Sequence, residues 1–211
     1  MKSIELSAEN ISKSYSGKII FKNFSINLKS GDSVSILGRN GSGKSTLIKL
    51  LTGLIASNKG KVILKVNGST VPQNLWYSQI GLISPYLNLY DELTGIENLE
   101  FFCSLRNNSR DDMKEKIDFY LNKVSLFDKR NEPLKNYSSG MKQKLKLIFA
   151  IINEPGILYM DEPRSNLDAE GIDIICQTAE EQKKNGILIV ATNDADDIQL
   201  CEKSINIEDY K

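Results

Sequence analysis

Short apolar runs separated by glycine turns, with longer apolar stripes at helical spacing between them, organise this chain. Near the N-terminus Ile4 and Leu6 alternate with polar neighbours. Residues Ile19, Ile20, Phe21, Phe24, Ile26 and Leu28 continue a mostly alternating pattern, and both stretches predict half-buried strands. Between them, residues 12–17 predict a polar turn holding one aromatic, Tyr15. Val34-Ser35-Ile36-Leu37 is a continuous apolar run and predicts a buried strand. Leu47-Ile48-Lys49-Leu50-Leu51 predicts a helix that ends near Thr52-Gly53, with Gly53 as its cap. Residues 61–66 predict a strand, followed by an Asn67-Gly68 turn.

Further along, residues 80–83 predict a core strand stopped at Ser84-Pro85. The character then changes. Thr94 and Glu97 have the spacing of a capping box, opening a helix through Leu99, Phe101, Phe102 and Leu105. Asp111-Asp112 predicts the start of another, with Ile117, Tyr120, Leu121 and Val124 on one face. After Tyr137 the strand and helix alternation resumes. Ser138 precedes a helix with Leu145, Ile148, Phe149 and Ile152 on its apolar face. Residues 157–160 and 186–191 predict buried strands, Leu167-Asp168 leads a helix to about Lys184 between them, and residues 204–207 predict a last short strand. Buried strands alternating with helices imply an α/β fold with a mostly parallel sheet covered on both faces. The expected organisation is one domain over residues 1–211, with a helical insertion at 86–136.

One stretch carries explicit chemistry. Gly38-Arg39-Asn40-Gly41-Ser42-Gly43-Lys44-Ser45-Thr46 lies between a predicted strand and a predicted helix. That context makes it a phosphate-binding loop. Its glycines allow positive φ, its amides form an anionic cradle, and the following helix adds its N-terminal N–H groups. Lys44 is placed to reach β- and γ-phosphates, and the Ser45 hydroxyl to ligate Mg²⁺. Asp161-Glu162 ends a predicted strand. Asp161 is the expected second Mg²⁺ contact, and Glu162 is placed to orient or deprotonate a water. Ser138-Ser139-Gly140 opens a helix whose first turns carry Lys142, Lys144 and Lys146, which reads as an anion site or as an ordinary serine cap.

Composition narrows the function classes. Basic and acidic residues both number 27, so the net charge of zero gives no argument for a nucleic-acid partner. The absence of histidine removes every mechanism that needs an imidazole. Cys103, Cys176 and Cys201 have no metal-ligand spacing and read as free thiols of a reducing compartment. No apolar stretch reaches the roughly 20 residues that span a bilayer, and no secretory signal pattern is seen at Met1–Ser7.

Taken together, these motifs resemble the nucleotide-binding subunit of an ABC transporter over nearly the whole chain. Residues 38–46 match the family's Walker A and residues 157–162 its Walker B with the catalytic glutamate. Tyr137-Ser138-Ser139-Gly140-Met141 matches its signature in degenerate form, and Ser165-Asn166-Leu167-Asp168 its D-loop. The segment Tyr90-Asp91-Glu92-Leu93-Thr94 is similar to small exporter ATPases, including the haem-exporter type. The resemblance implies a P-loop NTPase with an N-terminal antiparallel β part, binding ATP and Mg²⁺. It implies a cytoplasmic protein on the inner face of the cell membrane, paired head to tail with a second copy or a related ATPase and docked to an integral membrane transporter subunit. ATP would then lie between Walker A of one subunit and Ser138 and Gly140 of the other. Tyr15 sits where the family stacks an aromatic on adenine, or is simply a loop tyrosine. Leu87, Leu89, Tyr90 and Leu93 are either the membrane-subunit docking surface or the core of the insertion.

Two positions depart from the family pattern. Pro85 stands where a glutamine contacts Mg²⁺ and the attacking water, with Ser84 as a possible substitute through its hydroxyl. Asn193 stands at the switch histidine, where it can hydrogen-bond a γ-phosphate but cannot titrate. These departures imply slow hydrolysis, carried by Glu162, Asn193 and Lys44. They keep open an alternative role as an ATP-dependent clamp with little or no turnover. Arg164, after Asp-Glu-Pro, has no role assigned by the pattern.

Overall fold

The computed structural model describes residues 2–104 and 110–211. The side chains of residues 110–112 and the expected helical position of Leu105 lie outside the described part. Two sheets form the frame. β1 (Ile4–Tyr15), β2 (Lys18–Lys29), β4 (Lys59–Val66) and β5 (Ser69–Thr70) make an antiparallel sheet in the order β2-β1-β4-β5. β3 (Ser33–Leu37), β6 (Ile80–Ile83), β7 (Ile157–Asp161), β8 (Ile187–Thr192) and β9 (Lys203–Asn206) make a parallel sheet in the order β6-β7-β8-β3-β9. The helices are α1 (Lys44–Leu51), α2 (Gly95–Ser104), α3 (Arg110–Lys123), α4 (Ser139–Ile151), α5 (Ala169–Asn185) and the short α6 (Ala195–Ile198).

β3, β6, β7 and β8 are buried on both faces, which is why their sequences read as mostly apolar runs, while the edge strand β9 is largely exposed. Ile157 and Tyr159 of β7 and Ile187 and Ile189 of β8 pack with α1 and the antiparallel sheet. Leu158, Met160, Leu188 and Val190, the alternate positions, pack with α2 to α5. Tyr159 is fully buried, and its hydroxyl donates to the Leu51 carbonyl at 3.1 Å, tying β7 to the end of α1. Full burial of each such large side chain contributes about 1.5–3 kcal/mol.

Local signals explain the element ends. The Thr94 amide donates to Glu97 Oε2 at 2.8 Å and the Glu97 amide to Thr94 Oγ1 at 3.2 Å, so the capping box forms at the start of α2. Ser138 caps α4 by accepting from the Met141 amide at 3.2 Å, and Asp168 caps α5 by accepting from Gly171 at 2.8 Å. Asn67 and Gly68, with φ of 51° and 77°, turn β4 into β5. One expectation is corrected. Residues 12–15 are not a turn but the end of β1; only Ser16 and Gly17, with φ of 47° and 80°, reverse the chain. Pairing with β2 as far as Tyr15 opposite Lys18 outweighs the polar composition there.

Candidate active site

Four loops meet at the carboxyl ends of neighbouring parallel strands, where such sheets bind ligands. They follow β3, β6, β7 and β8 and bring residues 38–46, Pro85, Asp161-Glu162 and Asn193 to one edge. A cleft of about 400 Å³ is lined there by Asn40, Gly41, Gly43, Lys44, Ser45, Thr46, Asp161 and Glu162, with Ile20, Pro85 and Tyr86 at its sides.

The loop after β3 needs its glycines. Gly43 has φ +112°, and a Cβ there would meet Ile20 Cγ2 at 2.5 Å. Gly38 has φ +154°, and a Cβ there would collide with the Ser42 hydroxyl. The loop wraps Lys44, which is 6% exposed. Its ammonium donates to the Gly38 carbonyl at 2.7 Å and lies 3.5 Å from Glu162 Oε1. Lysine, base candidate and phosphate loop are thus within one contact of each other.

Asp161, at the end of β7, is 2% exposed, and its Oδ1 has no hydrogen-bond partner. Burial pushes its carboxyl above the ordinary carboxylate value; the Ser45 hydroxyl beside it pulls the other way. A buried carboxylate oxygen with no partner, next to a serine hydroxyl, is a donor set for a hard divalent cation, so the residues present fit Mg²⁺. Glu162 has φ +50°, a backbone conformation that costs a non-glycine residue about 1–2 kcal/mol. Its amide donates to the Ala191 carbonyl at 2.9 Å, and this bond holds the turn against β8. Asn193 extends from the end of β8, and its amide donates to Asn40 Oδ1 at 3.1 Å.

Several sequence expectations meet different surroundings. Tyr15 ends β1, is 48% exposed, carries the Lys13 ammonium 5.0 Å from its ring and does not line the cleft. Ser138 and Gly140 open α4 and do not line the cleft of their own chain, and a Cβ on Gly140 would meet the Asn166 carbonyl oxygen at 2.8 Å. The three α4 lysines are committed elsewhere: Lys142 to Asp91 at 2.7 Å, Lys144 to Glu170 at 2.7 Å and Lys146 to the Ser84 and Pro85 carbonyls at 3.4 Å. Within one chain these cations thus serve internal contacts, and Ser138 caps the helix start. Ser84 is buried and accepts from the Tyr86 amide at 3.3 Å, and only Pro85 of the two faces the cleft. Ile20 and Tyr86 line the cleft without belonging to any sequence motif. Ile20 is visible in sequence only as one position of a strand, and Tyr86 only as the residue after Pro85.

The comparisons fit this geometry. The model of the ABC transporter family matches residues 21–165. The chain belongs to the ABC transporter family. Among its ABC relatives, the linearmycin resistance ATP-binding protein LnrL of Bacillus subtilis is 31% identical over 190 residues, covering 89% of this chain and 60% of that protein. The lantibiotic transport ATP-binding protein SrtF of Streptococcus pyogenes is 32% identical over 188 residues, 89% of this chain and 79% of that one. The chain thus spans little more than half of some ABC relatives' length. A solved ATP-binding subunit of an ABC transporter superposes with a TM-score of 0.85 at 26% identity, covering 96% of this chain and 85% of that one. The P-loop α/β fold is the fold of this ABC family.

Proposed function

We propose that this chain is the ATP-binding and hydrolysing subunit that powers an ABC-type membrane transporter. The observation that carries the proposal is the single contact cluster of Lys44, the 38–46 cradle, Asp161 and Glu162. In this reading the loop amides and Lys44 hold the β- and γ-phosphates, with Asn193 reaching the γ-phosphate from the end of β8. Ser45 and Asp161 hold Mg²⁺, which when bound neutralises phosphate charge. Glu162 accepts a proton from the attacking water as the new bond to γ-phosphorus forms and the bond to the bridging β,γ-oxygen breaks, giving ADP and phosphate. Tyr15, exposed beside Lys13, supports a stacking platform for adenine.

Ser138 and Gly140 do not line their own cleft, which supports their use on the nucleotide of a partner, a second copy or a related ATPase. ATP then closes the pair and hydrolysis releases it. Residues 86–136 act as the helical arm of the single 1–211 domain, and the exposed Tyr90, with Leu87, Leu89 and Leu93 beside it, faces the membrane subunit. No helix among the described residues is long and apolar enough to cross a membrane, and a peripheral place on the inner face of the cell membrane suits this role. The names of two relatives, in linearmycin resistance and lantibiotic transport, support an antimicrobial compound as cargo.

Pro85 offers neither an amide side chain nor a backbone N–H to the cleft, and this favours slow turnover. Binding of ATP with magnesium, followed by calorimetry on wild type and Lys44→Ala, tests the reading. Saturable wild-type binding, weakened at least tenfold in the variant, is expected from the loss of a charge-assisted phosphate contact. Equal affinities would rule out the assigned phosphate site.

A further inference from the structure

Arg164 and Asp197 are charged groups beside the cleft that the chemistry above does not use. Arg164 stands two residues past Glu162 on the loop after β7, and Asp197 belongs to α6, on the segment after β8. Arg164 Nε lies 3.0 Å from Asp197 Oδ1, a buried ion pair outside hydrogen-bond geometry, and Arg164 Nη1 lies 3.8 Å from Asp196 Oδ2. Asp197 is 2% exposed, and its Oδ2 accepts from the Thr192 hydroxyl at 2.8 Å. Thr192 Oγ1 in turn accepts from the Asp194 amide at 3.0 Å and lies 3.5 Å from Glu162 Oε2.

A continuous chain of contacts therefore joins the loop that carries Glu162 to the loop that carries Asn193. The first loop needs such support. Glu162 is held at φ +50°, and a strained residue persists only where its surroundings fix it. Burial works against Asp197, pushing its carboxyl above the ordinary range, and the Thr192 and Arg164 contacts oppose that shift. A buried ion pair contributes little net stability compared with apolar packing, so specification of geometry is the better physical account of this one.

We propose that Arg164 and Asp197 are positioning residues for ATP hydrolysis, an ionic staple that fixes Glu162 and Asn193 in register across the cleft edge. The proposal rests on the ATPase reading above. Arg164 and Asp197 themselves contact neither the phosphate loop nor its lysine, so their effect falls on turnover more than on ATP affinity.

The test compares kcat and KM for ATP, ATP affinity and thermal unfolding in wild type, Arg164→Gln, Arg164→Lys, Asp197→Asn and the double variant R164Q/D197N. Each of R164Q and D197N lowers kcat about tenfold, a part of the roughly 10²- to 10⁴-fold that a placed general base supplies, with KM and affinity within about twofold. The double variant is no slower than the slower single one, because a staple breaks only once. Arg164→Lys keeps the charge and falls between wild type and D197N. If R164Q does not fold, the order of wild type, R164K and D197N in kcat tests the staple in its place. A kcat near wild type in D197N, or losses that multiply in the double variant, overturns the staple alone. A wild type that binds ATP and shows no turnover overturns the hydrolysis reading and the staple with it.

Discussion

Gly43 shows how much of the site depends on one missing carbon. Its φ of +112° is open to glycine and strained for any other residue, and Ile20 Cγ2 already occupies the place of a Cβ. Gly43→Ala is expected to destabilise the protein by about 1–3 kcal/mol, as strained backbone and overpacking do. It also displaces Lys44, its neighbour, so ATP binding is lost together with stability; chemical denaturation and calorimetry on one preparation would show both. Gly43→Ala with unchanged affinity would mean that the loop tolerates a shift at its tip. The glycines of this loop were legible from spacing alone, because each performs a local backbone task. Arg164 was visible only as an oddity. Its partner Asp197 lies 33 positions away by sequence number, on an element too short to leave a periodic signal.

Among the elements, the approach to α2 is organised by a side chain that no pattern singled out. Asn98 is fully buried. Its Oδ1 accepts from the Tyr90 amide at 2.8 Å, and its Nδ2 donates to the Tyr90 and Thr94 carbonyls at 3.0 Å. These bonds fold the 90–94 turn onto α2, where Tyr90 stacks on Phe102 with centroids 5.9 Å apart. Asn98→Ala leaves buried backbone groups without partners, and a loss of about 2–3 kcal/mol is expected in urea unfolding. A loss below about 0.5 kcal/mol would mean that water or a rearranged turn replaces the amide. Strands and capped helices here were readable from apolar runs and from pairs such as Thr94 with Glu97. The extension of β1 through Tyr15 was not, since cross-strand pairing decided it against composition. The charge of the α4 lysines is evident in sequence, whereas their partners Asp91 and Glu170 are set only by the fold.

In the molecule as a whole, one sheet edge collects the cradle, the lysine, the carboxylates and Asn193, while Ser138 and Gly140 lie outside that cleft. Under the proposed function a single copy holds two halves of a site that do not meet within it. Two copies, or this chain and a related ATPase, can complete both halves when ATP lies between them. Under the proposed function opening depends on Glu162, since hydrolysis removes the γ-phosphate that would bridge the halves. The most direct measurement follows the ATPase rate of wild type beside Glu162→Gln while light scattering reports mass under ATP and magnesium. The expected result is slow but measurable turnover in wild type, none in the variant, and a variant trapped as an ATP-bound dimer. A variant that hydrolyses ATP at the wild-type rate, or a wild type and variant that both stay monomeric under saturating ATP, would contradict it.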